Sequence, residues 1–204
     1  MSAPVLYLAS KSPRRQALLR QLDIEFETLL LREATGRPRD IIEQVEDREP
    51  PPHYVERIAR TKAQVGWQRM QNRKLAERPV VGADTEVVLD GEVFGKPRDA
   101  ADAARMLRRL SGRTHQVLTA VAVRYRDVTE VDLAASKVTL RRLAAAEIDR
   151  YAATGEPLDK AGGYAMQGRA AAFISRIEGS YSGIVGLPLC ETATLLARIG
   201  YPVL

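Results

Sequence analysis

Val5-Leu6-Tyr7-Leu8-Ala9-Ser10-Lys11-Ser12-Pro13-Arg14-Arg15 decides the architecture. Val5–Ala9 reads as a short buried strand, and the polar residues that follow mark its end. Ser12 offers a capping hydroxyl, and Pro13 suits the first position of a helix. A strand that passes straight into a helix is the repeating element of an α/β protein. The first helix should carry Ala17, Leu18 and Leu22 inward and stop near Asp23.

Outward from this start the alternation continues. Phe26–Leu30 reads as a second strand. Leu31–Pro52 has no clear period, ends in Pro50-Pro51-Pro52 and reads as a long loop, of the kind that is usually functional or mobile. Val55, Ile58, Ala59 and Val65 recur at near-helical spacing, predicting a long helix from Tyr54 to about Ala76. Val80–Ala83 reads as a short strand leading into Asp84. Glu86–Leu89 and Glu92–Phe94 form a hairpin about Asp90-Gly91. Asp99 caps a helix through Leu110 that Gly112 closes. Val117–Val123 and Val131–Leu140 alternate like strands, and Ala145–Ala153 is helical up to Gly155. Ala172–Ile177 reads as a strand and Pro188–Ile199 as the last helix. With no repeat, low-complexity stretch or linker, 1–204 is expected to be one domain.

The 204 residues carry 31 Lys+Arg against 26 Asp+Glu, a net charge of +5, with 45% hydrophobic residues. That balance is globular and argues against extended disorder. The single cysteine, Cys190, rules out an internal disulfide and a cysteine-based zinc site, and fits a reducing compartment. No stretch reaches the roughly 20 apolar residues of a membrane span. The first residues lack a basic leader, so a cytoplasmic protein is expected. The mild positive charge permits an anionic partner without implying nucleic acid.

Four segments hold more polar and glycine content than a fold requires. Ser10-Lys11-Ser12-Pro13-Arg14-Arg15 sits between a strand end and a helix start, where free N–H groups, hydroxyls and guanidinium forks suit phosphate. The alternative is a capped helix with solvated arginines. Gly82-Ala83-Asp84-Thr85 places a carboxylate just past a strand, able to hold a divalent cation or take a proton from water, or simply to cap its own turn. Gly95-Lys96-Pro97 offers a point charge on a fixed turn, or only an exposed lysine. Asp159-Lys160-Ala161-Gly162-Gly163-Tyr164-Ala165-Met166-Gln167-Gly168 pairs an acid with a base. Its Gln167 amide could read a base edge, and its Tyr164 could stack or fill the core. His53 and His115 are too isolated for a zinc site. Cys190 and Trp67 are expected to pack, and Arg105–Arg113 to form a solvated helix face.

In this order the four segments resemble the Maf family of nucleoside triphosphate pyrophosphatases, nearly from end to end of the chain. Ser10-Lys11-Ser12-Pro13-Arg14-Arg15, Ala83-Asp84-Thr85 and Asp159-Lys160-Ala161-Gly162-Gly163-Tyr164 with Gln167-Gly168 are similar to the dTTP/UTP pyrophosphatase branch. The resemblance implies a curved mixed β-sheet flanked by helices, with two lobes around a central cleft. It implies hydrolysis between the α- and β-phosphates with Mg²⁺ or Mn²⁺, and it suggests a homodimer. Asp84 falls on the proton acceptor and metal carboxylate. Arg14, Thr85 and Gln167 fall on positions of base selectivity, and Ser10, Arg15, Lys62 and Lys96 on phosphate-holding positions. Asp159 and Lys160 are further candidates. A metal-site glutamate before the long helix corresponds to Glu43, with Glu46 as competitor, because the family's compact Val-Asp-Glu is replaced here by Ile41-Ile42-Glu43 after an insertion around Leu31–Arg39. Two other readings compete. One is a 7-methyl-GTP-type pyrophosphatase. The other is a non-catalytic nucleic-acid or septum-associated protein, which 5% aromatic residues equip poorly for base stacking.

Overall fold

The structure is a computed structural model and describes residues 5–31, 43–201 and 203. Residues 32–42, half of the segment expected as a loop and nearly all of the insertion, lie outside the described residues.

The strand-to-helix start forms as expected. β1 (Val5–Leu8) leads into α1 (Pro13–Arg20), whose Ser12 hydroxyl accepts the Arg15 N–H at 3.4 Å. Leu18 and Leu19 are the side chains that α1 buries, whereas Ala17 is exposed. β2 (Glu25–Thr28) follows and pairs in parallel with β1. α2 spans Pro51–Asn72, three residues earlier than the periodicity predicts. Pro51 and Pro52 occupy its first turn, where a missing N–H costs nothing, so they begin this helix rather than end the loop.

β3 (Val80–Leu89) is one continuous strand of 10 residues. It pairs in parallel with β1 and antiparallel with β4 (Glu92–Phe94). Asp90 and Gly91, both with positive φ, make the tight turn. α3 (Ala100–Leu110) is capped by Asp99, whose carboxylate accepts the Asp102 N–H at 2.7 Å. β5 (Thr114–Tyr125), β6 (Val128–Leu140) and α4 (Ala145–Ala152) follow. Residues 169–173 form a 3-10 turn, so the strand expected from Ala172 starts only at Ile174, as β7 (Ile174–Glu178). A short α5 (Tyr181–Val185) and α6 (Leu189–Arg198) complete the chain. The mixed sheet runs β2-β1-β3-β5-β6-β7, with β4 on β3.

The fold divides into two compact units. The first comprises the described residues of Met1–Asp84, Thr119–Ala134 and Gly186–Leu204; the second is Thr85–Leu118 with Ala135–Val185. In the first unit Tyr7, Ala9, Leu29, Trp67, Met70 and Val80 pack together, and Tyr125 meets Trp67 edge-to-face. The second unit packs α3 and α4 around Leu107, Leu110, Val138, Leu140, Ile148 and Phe173. Trp67 is a packed helix residue as expected, whereas Cys190, expected to pack, is exposed on α6. The arginines of Arg105–Arg113 are exposed and paired with carboxylates, Arg109 with Glu92 at 2.7 Å and Arg113 with Asp90 at 2.8 Å. None of the helices is long and apolar enough to cross a membrane, among the described residues.

Candidate active site

The first unit gathers a cluster of charge around the buried Asp84, and small residues make it possible. Ala59, Ala63 and Gly66 recur along one buried face of α2. That face meets Gly82 of β3, where an added Cβ would stand 2.5 Å from the Ala63 nitrogen and 2.6 Å from the Ala59 oxygen. No side chain fits, so the helix backbone lies directly on the strand. Asp84 follows Gly82 by two residues and therefore shares its face. Lys62, from the same stretch of α2, reaches it: Nζ stands 2.7 Å from Asp84 Oδ1 and 2.5 Å from a Glu43 carboxylate oxygen. Burial disfavours the Lys62 ammonium, and a nearby Arg15 opposes it too. The Asp84 and Glu43 charges outweigh both, and its pKa stands above the ordinary lysine value. Asp84 Oδ2 is buried and accepts no hydrogen bond from the described residues.

Asp84 does not sit past the end of a strand. It is the fifth residue of β3, and Thr85 is the sixth, so the expected break there is absent. Every residue of Val80–Ala83 and of Val87–Leu89 is buried, and that apolar run on both sides carries the ladder through the polar pair.

Ser10 and Arg15 come together as expected. Ser10 Oγ accepts from the Ser12 N–H at 3.2 Å and from Arg15 Nη1 at 3.3 Å, while Arg15 Nε donates to the Gly186 carbonyl at 2.7 Å. Sequence reasoning missed Gly186, which lies 171 residues away and contributes only backbone. Arg14 is half-buried. The competing glutamates are both exposed and differ in partner: Glu43 meets Lys62, whereas Glu46 pairs with Arg57 at 3.5 Å.

The second unit ties two of the motif segments to each other. The Gly162 N–H donates to the Gly95 carbonyl at 3.1 Å, joining the Lys96 turn to the glycine-rich segment. Gly162 has φ +70° and lies where a Cβ would meet Val87 at 2.8 Å, so both its conformation and its space demand glycine. Lys96 and Gln167 are exposed and Thr85 is half-buried. Lys160 pairs with Asp159 and donates to the Glu156 carbonyl at 3.0 Å, which gives that lysine a structural task. Tyr164 fills the core and shares a 2.6 Å hydrogen bond with His115 Nε2. His115 is thus not isolated: it is fully buried, and burial lowers its pKa to about 4.

A divalent cation fits the first unit's carboxylates. Asp84 offers a buried oxygen with no partner among the described residues, and Glu43 lies on the same ammonium. Among the described residues there is no cluster of three or more His, Cys, Asp or Glu that could make a closed cage. Two carboxylates with the remaining positions left to phosphates and water are what Mg²⁺ usually takes.

Residues 5–199 match the Maf-like protein family. Relatives named dTTP/UTP pyrophosphatase are similar over almost their whole length. That of Nitrosospira multiformis is 57% identical over 191 residues, covering 94% of this chain and 92% of the relative. That of Aromatoleum aromaticum is 53% identical, covering 97% and 96%. That of Dechloromonas aromatica is 49% identical, covering 96% and 98%. The solved structure of the Staphylococcus aureus Ham1 protein aligns at a TM-score of 0.41 and 12% identity, over 67% of this chain and 71% of that one, too distant a likeness to bear on the site. With a match that spans the charge cluster and all four motifs, and relatives at 49–57% identity, this chain belongs to the Maf-like protein family.

Proposed function

We propose that the chain is a nucleoside triphosphate pyrophosphatase acting on dTTP and UTP, releasing the nucleoside monophosphate and pyrophosphate. The observation that carries this is the Asp84–Lys62–Glu43 cluster, in which Asp84 is buried, Glu43 is open to solvent and Asp84 Oδ2 has no hydrogen-bond partner among the described residues. A nucleoside triphosphate brings about four negative charges, so water can approach it only where they are neutralised. Asp84 and Glu43 would hold a divalent cation, which when bound neutralises phosphate charge and acidifies water. Lys62 fixes Asp84 through Oδ1 and leaves Oδ2 to orient a water and take its proton as the bond to pyrophosphate breaks. Arg15, set by Gly186 and Ser10, presents a fixed guanidinium to phosphate. Lys96 adds a second cation, and Arg14, Thr85 and Gln167 select the base. Names of relatives favour this reading over the 7-methyl-GTP and nucleic-acid alternatives. The enzyme would clean the cytoplasmic nucleotide pool, as a homodimer and without a stable nucleic-acid partner.

A panel of canonical and modified nucleotides, with products identified, tests the reading. dTTP and UTP should give the highest kcat/KM and yield pyrophosphate. EDTA should abolish turnover, and Mg²⁺ or Mn²⁺ should restore it. Full activity in chelator removes the metal role, and 7-methyl-GTP as the best substrate overturns the branch.

A further inference from the structure

The turn that carries Gln167 is clamped on both sides by groups that the reaction scheme leaves unused. The Gly168 N–H donates to the Ala165 carbonyl at 3.2 Å, closing a turn with Gln167 in its third position. On the far side, Glu156 Oε1 accepts the Arg169 N–H at 3.1 Å and the Tyr151 hydroxyl at 3.0 Å. The same carboxylate fills the space beside Gly168, where an added Cβ would stand 2.1 Å from Oε1. Glu156 is itself held, its N–H on Thr154 Oγ1 at 3.2 Å and its carbonyl on Lys160 Nζ at 3.0 Å. On the near side, Tyr164 is anchored in the core by His115. Gln167 thus sits exposed on a span of four residues between two fixed points.

We propose that Glu156 is a positioning residue: its carboxylate, braced by Tyr151 and seated against Gly168, holds the Gln167 turn in the conformation that reads the nucleotide base. The proposal rests on the base-selecting role of Gln167 and assigns that role a support. With the carboxylate gone, Arg169 loses its acceptor and Gly168 gains space. The turn must then be ordered by the substrate, at the expense of affinity. Asp84 and Lys62 are untouched, so the loss falls on KM rather than kcat.

The test measures kcat and KM for dTTP, UTP and GTP with Mg²⁺ in Glu156→Ala, Glu156→Gln, Gln167→Ala and the Glu156→Ala/Gln167→Ala double variant. Glu156→Ala should raise KM for dTTP and UTP roughly tenfold, with discrimination against GTP reduced and kcat within about twofold. Glu156→Gln keeps an oxygen that can accept both hydrogen bonds, so it should recover most of the loss. The double variant should match Gln167→Ala alone, because both changes act through one side chain. Losses that multiply in the double variant, or a fall in kcat with KM unchanged, overturn the proposal. Intact discrimination in Gln167→Ala removes the base-reading role itself. Intact discrimination in Glu156→Ala beside a collapsed one in Gln167→Ala removes only the support. Should Glu156→Ala fail to fold, Gly168→Ala serves instead: its methyl displaces the carboxylate and should raise KM in the same way, and an unmoved KM overturns the proposal.

Discussion

Each unit buries an ionisable base, and the two meet opposite fates. Lys62 in the first unit and His115 in the second both suffer burial, which disfavours the charged form. Lys62 stands between Asp84 and Glu43 and is held protonated. His115 meets the hydroxyl and, edge to face, the ring of Tyr164, with centroids 5.4 Å apart, and its pKa falls to about 4. Desolvation alone yields a neutral packing group, whereas desolvation answered by opposite charge yields a charged group poised for chemistry. A displaced pKa therefore does not locate an active site; the partner that displaces it does.

The sharpest way to break this contrast is Asp84→Asn. The amide keeps an oxygen for Lys62 but loses the charge and the proton-accepting oxygen. Pyrophosphate release should fall roughly a thousandfold with the circular dichroism unchanged. Wild-type turnover in that variant would strip the cluster of its chemical role. The second test concerns His115. Unfolded, the imidazole titrates near 6.5; folded, near 4. Between those values the unfolded chain binds more protons, so stability falls as pH drops from 6.5 towards 4, by up to about 3 kcal/mol, and is indifferent above 6.5. Urea midpoints measured from pH 7 to pH 4.5 should decline in the wild type and flatten in His115→Gln. Equal slopes would show that His115 does not titrate in this window. The smallest effect is expected where charge is not buried at all. Arg109 and Glu92 make a two-bond exposed pair, at 2.8 and 2.7 Å. Arg109→Ala should barely move the thermal midpoint and leave kcat/KM unaltered, because solvent screens such pairs.

Much of this was readable from local rules. Ser12 and Asp99 cap their helices because a short oxygen one residue ahead of a helix satisfies an orphan N–H. Asp90-Gly91 makes the hairpin because both residues tolerate positive φ. What escaped is nonlocal. Asp84-Thr85 looks like a strand's end, since an acid in a buried strand is unfavourable until a partner is known, and Lys62 lies 22 residues away. Gly186 acts through its carbonyl, which no residue type advertises. Glu156 belongs to the glycine-rich motif in space although it precedes it in sequence, and only the missing Cβ of Gly168 betrays the fit. Pro51 and Pro52 mislead for a different reason: a proline cluster serves a loop and a helix's first turn equally well.

The seating of Asp84 in mid-ladder has a consequence for anyone who would retarget the enzyme. A backbone gripped by sheet neighbours leaves the carboxylate two torsions of freedom, so the proposed hydrolytic centre is stiff. The Gln167 turn is a short strap fastened at its ends; if it selects the base as proposed, swapping its residues or its fastenings should redirect base preference while the Asp84 cluster stays as it was.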